Sequence, residues 1–184
     1  MPNVSAIVST ITAGFSQFTA DDGTTTRIRD GQTVHCSIFA NPVDGLSMPA
    51  DATINGIEVI MEGYAGDADH PVGNWIFVSN DNGSSWSTAQ TTTTGTWSTN
   101  SGLFSVETAG GTSELWGKTW TVDQIKNIDV KLEWSTTNGD AVFLDYVKVR
   151  VTYTDAPTTY TSDDGTIDLK DGTLDLKNGL LIIK

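Results

Sequence analysis

Two histidines, one cysteine and 23 acidic residues are the side chains from which this 184-residue chain could build chemistry. No second His or Cys stands at metal-binding spacing from His35, and no Ser or Cys nucleophile motif lies near His35 or His70. A zinc site and a hydrolase triad are therefore not spelled out. Nor does a glycine-rich phosphate loop follow any strand-like run. A group of hard oxygen donors does occur in Gly66-Asp67-Ala68-Asp69-His70-Pro71. Asp67 and Asp69 would supply calcium with only part of the roughly six to eight oxygens it takes. No metal, cofactor or catalytic residue is assigned on that basis. Carboxylates are so abundant that any glycosidase pair chosen among them would be arbitrary, and a non-enzymatic protein is expected. Cys36 cannot form an internal disulfide and reads as a small buried apolar residue.

The formal net charge of −13 opposes nucleic-acid binding, because no basic cluster is present to neutralise phosphates. It favours solubility and admits at most a basic partner. Serine and threonine interrupt the apolar residues between Val4 and Phe18, and no basic stretch precedes them, so neither a signal peptide nor a membrane span is expected. Synthesis in the cytoplasm follows.

The elements that must position these residues read as strands. Threonine, serine and glycine dominate and long alanine-, leucine- or glutamate-rich runs are missing, which predicts an all-β chain with one principal core. Residues 1–20 read as an arm or an edge strand, and 33–40 as a strand. Ile57, Val59 and Met61 alternate with Glu58 and Glu62, the pattern of a half-buried strand. Further strands are predicted over 74–80, 103–106 and 128–134. Thr121-x-x-Gln124 fits a capping box and predicts one helical turn ending near Asn127. The longest strand runs from Ala141 to Tyr153, with Val147, Val149, Val151 and Tyr153 inward. Asp145 breaks its alternation, which calls for a bulge or a hydrogen-bonded buried carboxylate.

Ser79-x-Asp81-x-Gly83-x-Ser85-Trp86 resembles the Asp-box hairpin of sialidase propellers and many other β proteins. In those proteins the carboxylate caps the turn, the glycine permits it and the tryptophan packs beneath. A single copy implies a hairpin and not a set of propeller blades. Thr91 to Asn100 reads as an edge strand or a long surface loop with an exposed aromatic, and Trp86 and Trp97 are candidates to stack on sugar rings, with packing in the body as the commoner use of such residues.

Taken in order, Pro-Ala-Asp-Ala-Thr-Ile-Asn-Gly-Ile-Glu-Val (49–59), the Ser-x-Asp-x-Gly hairpin, Glu-Leu-Trp-Gly-Lys-Thr-Trp-Thr (114–121) and Leu-Asp-Tyr-Val-Lys-Val-Arg-Val-Thr-Tyr (144–153) resemble a jelly-roll module of tailed-bacteriophage structural proteins. The resemblance covers roughly residues 21 to 153. It implies a β-sandwich of the galactose-binding-like type with a place in the virion, and it carries no ligand or catalytic residue with it.

Beyond a body over 21–154 and a proline-containing linker over 155–163, residues 164–184 repeat with a seven-residue period. Asp171-Gly172 and Asn178-Gly179 are two-residue hairpin turns by type, which predicts a small three-stranded β meander. Its register places Ile167, Leu169, Leu174, Leu176, Leu181 and Ile183 on one face. Burying them would contribute on the order of 10 kcal/mol, and so small a sheet is marginal alone. That face is the expected assembly surface. The expected function is a capsid decoration or cement protein of the virion, self-associating as a homotrimer and contacting the major capsid protein or other virion proteins. A tail-fibre, tailspike or adhesin component with a carbohydrate-binding sandwich is the alternative.

Overall fold

The computed structural model describes residues 3–7, 10–12, 21–29, 31–37, 48–66, 73–92, 97–135, 141–154, 174–177 and 180–183. Strands β1 (Asn3–Ile7), β2 (Thr10–Thr12), β3 (Thr26–Arg29), β4 (Thr33–Ser37), β5 (Thr53–Ala65), β6 (Gly73–Ser79) and β7 (Ser105–Gly110) precede the short helix α1 (Val122–Lys126). Strands β8 (Asp129–Ser135), β9 (Ala141–Thr154), β10 (Leu174–Lys177) and β11 (Leu180–Ile183) follow it. The body is two antiparallel sheets, as an all-β sandwich requires. In one, β9 pairs with β5 along one edge and with β3 and β1 end to end along the other, while β7 extends beyond β5. The second sheet has the order β2-β4-β8-β6. From β1 to β9 every successive strand lies in the opposite sheet, so the body is held by pairings distant in sequence.

Alternation explains which residues meet between the sheets. Ile57, Val59 and Met61 of β5 and Val147, Val149 and Val151 of β9 are buried against Val130 and Leu132 of β8, Ile76 and Val78 of β6, and Val34 and Cys36 of β4, in one contiguous cluster. Each such aliphatic side chain contributes roughly 1.5–3 kcal/mol on burial. The predicted helical turn is present with both halves of its capping box. The Gln124 amide donates to Thr121 Oγ1 at 3.2 Å, and the Thr121 amide to Gln124 Oε1 at 2.9 Å. Asn127 caps its C-terminal end.

Two expectations shift. The strand expected over 103–106 runs instead from Ser105 to Gly110, because its partner β5 offers pairing sites from Glu58 to Gly63. Of the two readings of Trp97 the structure shows packing and not an exposed ring: it is 8% exposed and packs edge-to-face on Trp134 at 5.6 Å. In the tail, β10 and β11 form a separate two-stranded sheet with Leu174 opposite Ile183 and Leu176 opposite Leu181. Ile167 and Leu169, with the linker and the first repeat, lie outside the described residues. Among the described residues no helix is long and apolar enough to cross a membrane.

The segment after β7 folds back over the sheet and is locked by Trp116. Its indole nitrogen donates to the Ile57 carbonyl at 2.9 Å and its backbone amide to Glu114 Oε1 at 2.6 Å, which holds a bulky residue at φ 60°. Gly110 makes this approach feasible. Its φ is +82°, and a Cβ there would fall 2.3 Å from the Ile57 carbonyl oxygen and 2.9 Å from the Trp116 ring. Gly110→Ala is expected to cost more than about 2 kcal/mol in urea unfolding. Gly111→Ala, with open space around it and no positive φ, should leave stability unchanged or slightly raised.

Candidate functional site

The longest strand changes face at one carboxylate. The β5–β9 register steps from Glu62↔Tyr146 to Gly63↔Leu144, leaving Asp145 as the extra residue of a bulge. Leu144 before the bulge and Val147 after it both reach the core, which strict alternation would forbid. The extra residue restores the pattern by placing Asp145 beside Tyr146 and Glu62. Thus Asp145 is both the bulge and a buried carboxylate, 1% exposed.

A third segment meets it there. Because Thr26 of β3 pairs with Leu144, the turn before β3 lies over the bulge. Gly23, at φ +77°, directs its amide to Asp145 Oδ2 at 3.1 Å, while Asp22 Oδ1 accepts from the Thr24 amide at 2.8 Å. Asp21, Glu62 and Asp145 each bring a carboxylate oxygen within 4.8 Å of the other two. Tyr146 hydrogen-bonds to Glu62. Burial pushes the Glu62 carboxyl up, and the charges of Asp21 and Asp145 push it further against the Tyr146 bond. Burial also raises Asp145, against the Gly23 and Asp22 amides that lower it and with the Asp22 and Asp21 charges that add to the rise. The Tyr146 phenol is raised by burial and by the Glu62 charge. Asp145 Oδ1 is buried with no hydrogen-bond partner, an arrangement that costs about 1–3 kcal/mol when nothing compensates it.

Two other faces carry candidate groups. On the outer side of the four-stranded sheet, His35 lies opposite Lys131, which lies opposite Phe77, and Glu133 lies opposite Trp75. Lys131 Nζ sits 3.9 Å over the Phe77 ring and 5.1 Å from that of Trp86, and it pairs with Glu133 at 2.8 Å. Trp86 is half-buried and meets His35 edge-on at 5.2 Å, while Trp75 is 41% exposed. On the outer side of the five-stranded sheet Tyr64 stacks between Phe143 at 4.7 Å and Phe104 at 5.7 Å, next to the exposed Leu103 and Val106. A shallow cleft of about 350 Å³ between residues 50–54 and 119–122 is lined by Trp120, Thr121 and a single carboxylate, Asp51.

Cys36 is fully buried. Burial, and then the Asp129 charge, push its thiol up to about 12, so it is neither nucleophile nor thiolate ligand at neutral pH. Asp67, Asp69 and His70 lie outside the described residues. The Asp21, Glu62 and Asp145 cluster is not spelled out by local spacing, since its members come from three separated segments. The signal available was the break in alternation at Asp145.

The Asp81 hairpin forms as its motif implies. Asp81 Oδ1 accepts from the Ser79 hydroxyl at 2.7 Å and the Ser85 amide at 2.8 Å, Oδ2 accepts from the Ser85 hydroxyl at 2.5 Å, and the Gly83 amide donates to Ser79 Oγ at 2.9 Å. The Trp86 ring lies close by, 3.4 Å from where a Cβ on Gly83 would stand. Lys118 straps the turn from outside through Asn80 and Ser85.

Compared with known proteins, the chain matches no family model, no curated protein and no solved structure. Fold and site together define a class: an acidic two-sheet β protein with a carboxylate cluster at a strand bulge and a separate terminal hairpin.

Hydrogen bonds from the Ser85 and Ser79 hydroxyls and the Ser85 amide hold Asp81 down at about 2, against 3.8 without them. A depressed carboxyl stabilises the fold above its unfolded value and loses that contribution as pH falls through its folded one. Asp81→Asn should therefore be less stable than the native chain in urea unfolding at neutral pH, and the gap should close as pH is lowered from about 4 toward 2.

Proposed function

We propose that the protein is a non-enzymatic structural component of a bacteriophage virion, a capsid decoration or cement protein that self-associates and contacts the shell through its terminal hairpin. The carrying observation is the β10–β11 sheet, whose strands, among the described residues, join neither body sheet. A two-stranded hairpin is at best marginal in water. Its register makes Leu174 and Ile183, and Leu176 and Leu181, cross-strand partners, and by the two-residue period these four positions share one face. Such a sheet gains stability by covering that face, against the same hairpins of two further copies in a trimer or against a neighbouring virion protein.

The strand order supports the jelly-roll reading of the body. Leaving aside β1 and β2, which add to the edges through β9 and β4, one sheet runs β3-β9-β5-β7, and the other runs β4-β8-β6 with Gln90 bridging to Ile76 beyond β6. Wrapping eight consecutive segments into a jelly roll produces this interleaving of early and late strands. The acidic charge of −13 suits a soluble body exposed on a particle surface.

The native chain should sediment as a trimer, and deletion of residues 155–184 should give a monomer that melts as a folded body. In the full-length chain Leu176→Asp with Leu181→Asp should likewise yield monomer. If both variants still form trimers, the hairpin is not the assembly surface. Hundreds of copies per particle would fit decoration of the shell, whereas a dozen or fewer would place the protein in the tail.

The tail-fibre or adhesin reading draws on the outer face of the four-stranded sheet, where Trp75, Phe77, Trp86 and Lys131 offer ring and charge together. Aromatic faces stack on sugar rings. On that reading glycan-array binding should fall at least about tenfold in Trp75→Ala, equivalent to about 1.4 kcal/mol, while Trp97→Ala should act on stability because its ring is in the core.

A further inference from the structure

We propose that Asp21, Glu62 and Asp145 bind one calcium ion, which staples the turn before β3 to the central β5–β9 pair. Two independent observations lead there. One is the convergence of three carboxylate oxygens within 4.8 Å of one another. The other is Asp145 itself, 1% exposed, whose Oδ1 is buried without a partner while Oδ2 is already held by the Gly23 amide.

Calcium holds oxygens at roughly 2.3–2.6 Å, so that oxygens on opposite sides of it lie about 4.6–5.2 Å apart, and three oxygens within 4.8 Å of one another can share its shell. Magnesium, at about 2.0–2.1 Å, demands a smaller octahedron and keeps most of its water. The donors are all hard carboxylate oxygens, with no His or Cys in the group, which disfavours zinc and copper. Charge fits as well, since three carboxylates meet a doubly charged ion. Among the described residues no ion pair reaches any of the three: Arg150 is paired with Glu58, Lys131 with Glu133 and Lys126 with Asp123.

The surrounding structure prepares the site. Burial and neighbouring carboxylates raise Glu62 and Asp145: the charges of Asp21 and Asp145 act on Glu62, and those of Asp22 and Asp21 on Asp145, the condition a divalent ion relieves. Tyr146 engages Glu62 and orients it, while the Asp22 and Gly23 amides orient Asp145. The exposed Asp21 is the side from which the ion enters, and waters complete the shell there. Unlike the hairpin, this site belongs to the body, so it does not depend on the virion reading.

The test uses the full-length chain, stripped with a chelator and titrated with calcium chloride by calorimetry and thermal melting. One ion per chain is expected, with Kd near or below about 10⁻⁴ M. At about a hundredfold excess over Kd, Tm should rise by roughly 5 °C or more. Asp145→Asn retains an acceptor for the Gly23 amide. It should fold, lose the calcium-dependent rise and melt in chelator no lower than the native chain, since removing one charge relieves the repulsion. Glu62→Gln should behave the same way, and Asp123→Asn on α1 should keep the full response. Terbium should bind in place of calcium and luminesce through Tyr146. Absence of both heat and Tm shift in the native chain at millimolar calcium would overturn the proposal. So would calcium binding that survives unchanged in both Asp145→Asn and Glu62→Gln.

Discussion

The antiparallel pairing of β5 with β9 is the constraint on which the body depends. β9 has a partner along both edges, β5 on one and β3 with β1 on the other, so the first sheet exists only if this strand is in register. A slip of one residue would turn Val147, Val149 and Val151 away from the core and bring Lys148 and Arg150 in. Desolvating those cations without partners costs far more than the few kcal/mol of net stability a domain has to spare. Register is further pinned by the ion pair between Arg150 and Glu58, which are directly opposite, at 2.8 Å. That pair is part-exposed and adds little energy on its own. Its value lies in discriminating one register from the next.

The bulge at Asp145 is where the regular pairing gives way. Inserting a residue there lets both halves of β9 face inward although they are out of phase, and it rotates a carboxylate onto the outer face beside Glu62. A purely structural bulge would be served by a residue without charge. Placing an acid there, buried and next to another acid, works against stability unless something offsets it. Asp145 is thus the position where local folding requirements and the observed residue disagree most, and such disagreements concentrate at functional positions.

How much was legible follows from the same distinction between local and distant information. The all-β class, the alternating strands β5, β8 and β9, the capping box of Thr121 and Gln124 and the Asp81 hairpin all rest on residues within a few positions of one another, and each is present with its expected hydrogen bonds or burial. For Trp97 the sequence leaves exposure and packing both open, because its threonine-rich neighbours carry no apolar period and its burial comes from contact with Trp134, distant in sequence. The carboxylate cluster was hidden for a related reason. The irregularity at Asp145 could be read, but the partners could not, because Asp21 arrives through the β3–β9 pairing and Glu62 through the β5–β9 pairing. The stacked Tyr64, Phe143 and Phe104 rings were out of reach likewise, being drawn from β5, β9 and the approach to β7.

Body and hairpin differ in what must cover their apolar residues. In the body the two sheets cover each other, and the residues buried at the core come from both. In the β10–β11 hairpin the register aligns leucine and isoleucine positions, and among the described residues these two strands pair with no other. An isolated sheet of this size is at best marginal in water, so the stability of the hairpin is tied to whatever it packs against.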